Sequence, residues 1–199
     1  KNALTKGSVL SRLSPSRELF MKAKLMKDLI RDFLYQYTNS SVEKVEQGLN
    51  DVDFKDQKDK QNAYPIRGAS LGIIKFADGR IALTKRTKPH RGWALPGGRV
   101  ETDETFEHAF VRESKEELGV DVKIRDLLVI EDKTFISPRR EKLKFMLVVF
   151  SARCDSLFLP PKTEGAKEEG LETGLFNIDS LPKDMVLRDR EKILRYVRN

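Results

Sequence analysis

The feature that most constrains this chain is a helix signal held between glycine turns, from Gly97 to Gly119. Pro96-Gly97-Gly98 leads in, an amphipathic run follows from about Glu104 to Leu118, and Gly119 stands where a left-handed residue ends a helix. β-Rich segments flank it: Ile66 to Phe76, Arg80 to Arg86 after an Asp78-Gly79 turn, then about Val120 to Ile130, Leu143 to Arg153 and Gly174 to Ile178. Val186, Ile193, Leu194 and Val197 predict a closing helix over Asp184 to Val197. One central helix with strands on either side in sequence predicts an α/β (α+β) sandwich.

The first 63 residues follow another pattern. Ser14-Pro15 is a helix start, and Leu19, Ala23, Met26, Ile30, Phe33 and Tyr37 recur in steps of four and three. This stripe either packs on the main domain or pairs two subunits into a homodimer. Ser40 and Glu43 form a capping-box pattern that predicts a second short helix through Val42, Val45 and Leu49. Asn50 to Asn62, almost wholly polar, is expected to be a solvated linker. The division is therefore a helical N-terminal extension and linker at 1–63, and a second domain at 64–199, with the boundary at Tyr64-Pro65.

Composition narrows the setting. Of 199 residues, 39% are hydrophobic and 35% charged, and no apolar run is long enough for a membrane helix. One cysteine, Cys154, excludes an internal disulfide and a cysteine-cluster zinc site. Both facts suit a cytoplasmic protein. Residues 1–17 carry four basic residues, four serines and no acid, a composition that leaves organelle targeting open. The net charge of +7 favours anionic partners.

Within the central helix Glu113, Glu116 and Glu117 stand at i, i+3 and i+4, on one face beside Arg112. Like charges so placed destabilise a helix, and a hard divalent cation such as Mg²⁺ would offset that repulsion. Three glutamates alone would be an ordinary solvated face. The wider spacing is specific: Gly98, five residues, Glu104, seven residues, Arg112-Glu113, two residues, Glu116-Glu117, one residue, Gly119, then Val120. Seven fixed positions at ordinary residue frequencies put chance on the order of 10⁻⁸ per start site.

This pattern resembles the Nudix hydrolase box, and the resemblance extends over residues 66–182. It implies a Nudix-type α/β/α sandwich with a mixed sheet, and hydrolysis of diphosphate bonds. It also implies that Glu113, Glu116 and Glu117, helped by the Gly97 carbonyl, bind Mg²⁺, with Mn²⁺ an alternative. By the same resemblance Arg112 holds the glutamates, while Gly98, Glu104 and Gly119 support the box. Glu113 is the first candidate for general base, with Glu164, Glu168 and Glu169 as rivals. Ser114 departs from the box, which expects an apolar residue there on the core face.

The substrate is less constrained. Gly97-Gly98-Arg99-Val100 with Asp103 to Glu107 resembles the GDP-mannose mannosyl hydrolase branch, whereas Arg91 to Leu95 and Pro138-Arg139 resemble ADP-ribose pyrophosphatases. Both imply a nucleoside diphosphate joined to another moiety, with Arg86, Arg91 and Arg139 as candidate phosphate contacts. Alternatives are a nucleoside triphosphate or RNA 5′-end as substrate, and a sensor that binds nucleotide without cleaving it. Nucleic acid is the less favoured partner, because neither an aromatic-rich strand motif nor a basic tail is present.

Overall fold

The computed structural model describes residues 42–63, 68–86, 92–101 and 104–197. The helix expected from Ser14 onward lies outside them. Among the described residues eight strands form one mixed sheet: β1 (Val42–Gly48), β2 (Gly68–Lys75), β3 (Ile81–Arg86), β4 (Gly92–Ala94), β5 (Gly97–Arg99), β6 (Lys123–Ile136), β7 (Lys142–Arg153) and β8 (Glu172–Phe176). The order is β1-β6-β7-β2-β3-β4, with β5 paired to β2 and β8 to β3. β1–β6 and β7–β2 are parallel, while β6–β7, β2–β5 and β3–β8 are antiparallel.

Helices cover both faces. α1 (Asp51–Ala63) and α4 (Leu187–Val197) lie on one side, and α2 (Phe106–Leu118) on the other; α3 (Glu164–Glu168) is a single short turn. Strand alternation separates the faces. Ala69 and Ile73 of β2 join Phe54, Val129, Leu147, Val149 and Ile193 in the core beneath α1 and α4. Gly68 and Gly72 face α2: a Cβ at Gly72 would overlap the Phe110 ring, which in turn stacks on Phe150 at 5.9 Å. Small residues on this strand therefore let the central helix sit close to the sheet.

Two expectations for the N-terminal region are corrected. Val42–Gly48 is a strand and not a helix, paired residue by residue with Ile130 to Ile136. A continuous parallel ladder and the burial of Val45 outweigh the local capping pattern. Asn50 to Asn62, expected as linker, is mostly helix. Asn50 Oδ1 accepts from Asp53 N at 2.9 Å, capping the first turn, and the helix seats Phe54 and Gln57 against the sheet. Among the described residues the sheet thus already includes Val42–Gly48, ahead of Tyr64-Pro65.

The remaining elements follow the pattern closely. Gly79 has φ 91° at the β2–β3 turn, and Gly119 has φ 72° at the end of α2. β6 is longer than expected, running to Ile136, and two register shifts interrupt its pairing with β7. α3 arises inside a stretch that reads as polar loop, capped by Thr163. Among the described residues no helix is long and apolar enough to cross a membrane.

Candidate active site

Thr105 starts α2, its Oγ1 accepting from His108 N at 3.2 Å. From there the helix carries its acids back toward the preceding glycine turn. Gly97 has φ 130°, and a Cβ on it would overlap the Ser70 carbonyl, so glycine alone fits. Its N–H donates to Glu117 Oε2 at 2.8 Å. A Cβ on Gly98 would overlap the Glu113 carboxylate. Backbone and carboxylates meet here because both glycines lack side chains.

Arg112 organises the remainder. Its Nη2 donates to Glu104 Oε1 at 2.7 Å and to the Arg99 carbonyl at 2.9 Å. Its Nη1 donates to Glu113 Oε1 at 3.0 Å and Glu116 Oε2 at 2.9 Å. The bond with Glu104, against the cost of burial, holds the guanidinium even more firmly protonated than usual. Glu104 Oε1 also accepts from Glu101 N at 3.2 Å, which folds the loop over the helix start. Arg112 thus links loop, helix and all three neighbouring acids.

The structure brings Gly97, Gly98, Glu104, Arg112, Glu113, Glu116 and Glu117 together. Gly119 lies at the far end of α2, against Pro160. Thr163 Oγ1 donates to the Glu116 carbonyl, so α3 closes on that end as well. Glu164 there is exposed and bonded to Lys167 at 2.6 Å; Glu168 and Glu169 are also exposed. Arg139 is exposed at the β6–β7 hairpin tip. Arg91 and the side chain of Arg86 lie outside the described residues. Ser114 is fully buried, its Oγ donating to the Phe110 carbonyl at 2.7 Å.

One supporting residue has no signal in the box. Asp189 of α4 accepts from Leu95 N at 3.1 Å, bracing the strand end just before Pro96 from across the sheet. It is nearly buried and 94 residues from its partner, so no local spacing marks it. Trp93 packs edge-on against Phe176, with centroids 4.7 Å apart.

The NUDIX domain model matches residues 66–197. The chain belongs to the Nudix family. It is 36% identical over 128 residues to an ADP-ribose pyrophosphatase of Methanocaldococcus jannaschii, an alignment covering 62% of this chain and 68% of that protein. It is 38% identical over 82 residues to an 8-oxo-dGTP diphosphatase of Proteus vulgaris, covering 40% of this chain and 72% of the relative. Among solved structures, a MutT NUDIX hydrolase from Burkholderia pseudomallei superposes with a TM-score of 0.50 at 28% identity, over 65% of this chain and 97% of that one. The chain is a Nudix hydrolase acting on diphosphate bonds, and such hydrolases generally use divalent metal ions. β1 and α1 precede the residues that the Nudix model matches.

Among the described residues no three acidic, histidine or cysteine side chains converge as a ready cage. Arg112 Nη1 lies between Glu113 and Glu116, and Glu117 is drawn to Gly97 N–H. The donor chemistry nevertheless fits a hard cation, with three carboxylates gathered beside the Gly97-Gly98 backbone.

Proposed function

We propose that this Nudix hydrolase cleaves a nucleoside diphosphate joined to another moiety, with ADP-ribose as the representative substrate and Mg²⁺ as the metal. The observation that carries the site is the glycine turn against the glutamates: only glycine at 97 and 98 leaves backbone and carboxylates in contact. Glu113, Glu116, Glu117 and the Gly97 carbonyl would hold the metal. When bound, a divalent ion offsets charge on the diphosphate and favours in-line attack by water.

The chain's own groups do the rest. Glu113 takes the proton of the attacking water, since it is the acid lying against Gly98. Arg112 keeps Glu113 and Glu116 oriented through Nη1 and is itself anchored by Glu104 and the Arg99 carbonyl. Water cleaves one P–O–P bridge and leaves two phosphate monoesters, AMP and ribose 5-phosphate in the case of ADP-ribose.

The similarity to the Methanocaldococcus jannaschii enzyme supports the ADP-ribose class. The similarity to the Proteus vulgaris enzyme supports a second reading, hydrolysis of a nucleoside triphosphate. A Mg²⁺-dependent screen of ADP-ribose, nucleoside diphosphate sugars, 8-oxo-dGTP and capped RNA separates them. Fastest turnover of ADP-ribose is the expected result; preferential pyrophosphate release from 8-oxo-dGTP would favour the second.

A further inference from the structure

Ser70 of β2 is fully buried, and among the described residues its hydroxyl has no hydrogen-bond partner. Strand alternation fixes the face on which it lies. Gly68 and Gly72, two residues away on either side, have their side positions against Phe106 and Phe110 of α2, so Ser70 faces α2 as well. Its register partner in β5 is Gly98, and a Cβ on Gly98 would overlap the Glu113 carboxylate. Opposed residues of an antiparallel pair carry their side positions on one face, about 4.5–5.5 Å apart. The Ser70 side chain and the Glu113 carboxylate are therefore neighbours. Ser70 also backs the turn itself, since a Cβ on Gly97 would overlap the Ser70 carbonyl.

A buried hydroxyl without a partner is costly, and alanine would occupy this place at no such cost. The acid beside it can use a donor. Glu113 Oε1 accepts from Arg112 Nη1 at 3.0 Å, and a carboxylate has room for several donors at once. Carboxylates that ligate a metal are themselves held by hydrogen bonds, which set the direction of the oxygens left for the ion.

We propose that Ser70 is a positioning residue for Glu113: its hydroxyl donates to that carboxylate from the sheet side and fixes the orientation in which Glu113 takes a divalent cation. Arg112 then orients Glu113 from the helix and Ser70 from the strand beneath it. The inference rests on the reading of Glu113 as a metal ligand, and on nothing about the substrate.

The test titrates the full chain with Mn²⁺, reading the free ion by electron paramagnetic resonance, and melts the same proteins in EDTA. Ser70→Ala is expected to weaken Mn²⁺ binding by about tenfold, the scale for groups that orient metal ligands. Its Tm in EDTA should stay within about two degrees of the wild type, because Ser70 makes no hydrogen bond to lose. Ser70→Thr keeps the hydroxyl and should bind within about threefold of the wild type. If the added methyl lowers its Tm, Ser70→Ala decides alone. Wild-type Mn²⁺ affinity in Ser70→Ala overturns the proposal. So does a loss of affinity that comes with a large fall of the Tm in EDTA, which would make the hydroxyl a support of the fold. Failure of the metal-ligand reading is distinct: Glu113→Gln would then bind Mn²⁺ as tightly as the wild type.

Discussion

The two faces of the sheet bury charge in opposite ways. On the α2 face, Arg112 is saturated, with Glu104, Glu113, Glu116 and the Arg99 carbonyl around one guanidinium. On the α1/α4 face, Lys133 makes no ion pair among the described residues, although Glu131, Asp189 and Lys192 lie buried near it. The first arrangement is complete within a single local segment and fixes the geometry of its acids. The second is assembled from β6, β7, α1 and α4, and sets the ammonium over the Phe135 ring. Local spacing thus builds the carboxylate face, and long-range packing builds the other.

The largest expected effect tests the first half of that contrast. Glu117→Gln should lower turnover by on the order of 10³-fold, the scale of losing one preorganised electrostatic group. The fold should survive, because the amide oxygen can still accept from Gly97 N–H at the position of Oε2. Mg²⁺ should also raise the wild-type Tm and leave that of Glu117→Gln nearly unmoved, since metal stabilises only the state that binds it. Near wild-type turnover in this variant would remove catalysis from the α2 face.

Arg112→Met comes next, with a loss of about 10- to 100-fold in turnover, as for residues that orient metal ligands. It should also cost about 2–3 kcal/mol of stability, because Glu104 and Glu113 lose a partner while mostly buried. Arg112→Lys should recover little, for one ammonium cannot reach both the Arg99 carbonyl and the Glu113–Glu116 pair. Full activity in the lysine variant, measured beside its Tm, would show that charge alone suffices there.

Lys133→Met should act with the opposite sign on stability. Removing an ammonium that burial disfavours should raise the Tm by a few degrees, on the order of 1 kcal/mol. Its pH dependence follows from the lowered pKa, caused first by burial. Below the folded-state pKa the amine is charged in both states, and the wild type carries the whole burial cost. Between that value and the ordinary 10.5 the unfolded chain binds the extra proton, so wild-type stability climbs with pH toward that of the variant. A pH-independent gap in Tm between the two proteins would show that Lys133 does not titrate as a buried group.

What the sequence revealed follows the same division. The box was legible because Gly98, Glu104, Arg112, Glu113, Glu116, Glu117 and Gly119 all lie within one loop and helix, where spacing translates directly into shared faces. Gln57, Lys133 and Asp189 gave no such signal. Gln57 meets Arg99 across 42 residues and Asp189 meets Leu95 across 94, contacts set by sheet order. The N-terminal errors share that cause. A capping-box pattern at Ser40 and Glu43 is a local preference, and pairing along β6 overrode it. In the polar stretch after Asn50, one buried phenylalanine and one buried glutamine were enough to seat a helix.

The smallest effect is expected inside α2 itself, which repeats the contrast on a single helix. Ser114 follows Glu113 directly, yet it is fully buried and its hydroxyl donates to the Phe110 carbonyl one turn back. That carbonyl is already the acceptor position of the helical ladder, so the hydroxyl adds a second bond where one would do. Ser114→Ala removes it and gains helix propensity, leaving stability within about 0.5 kcal/mol and turnover within about twofold. Phe110 and Leu118 share this buried side with Glu113 and Glu117, whose carboxylates reach from it to the glycine turn. A tenfold loss of turnover in Ser114→Ala, at unchanged Tm, would mean that the buried hydroxyl reaches the chemistry through Glu113. Ser114 would then be a positioning residue and not packing alone.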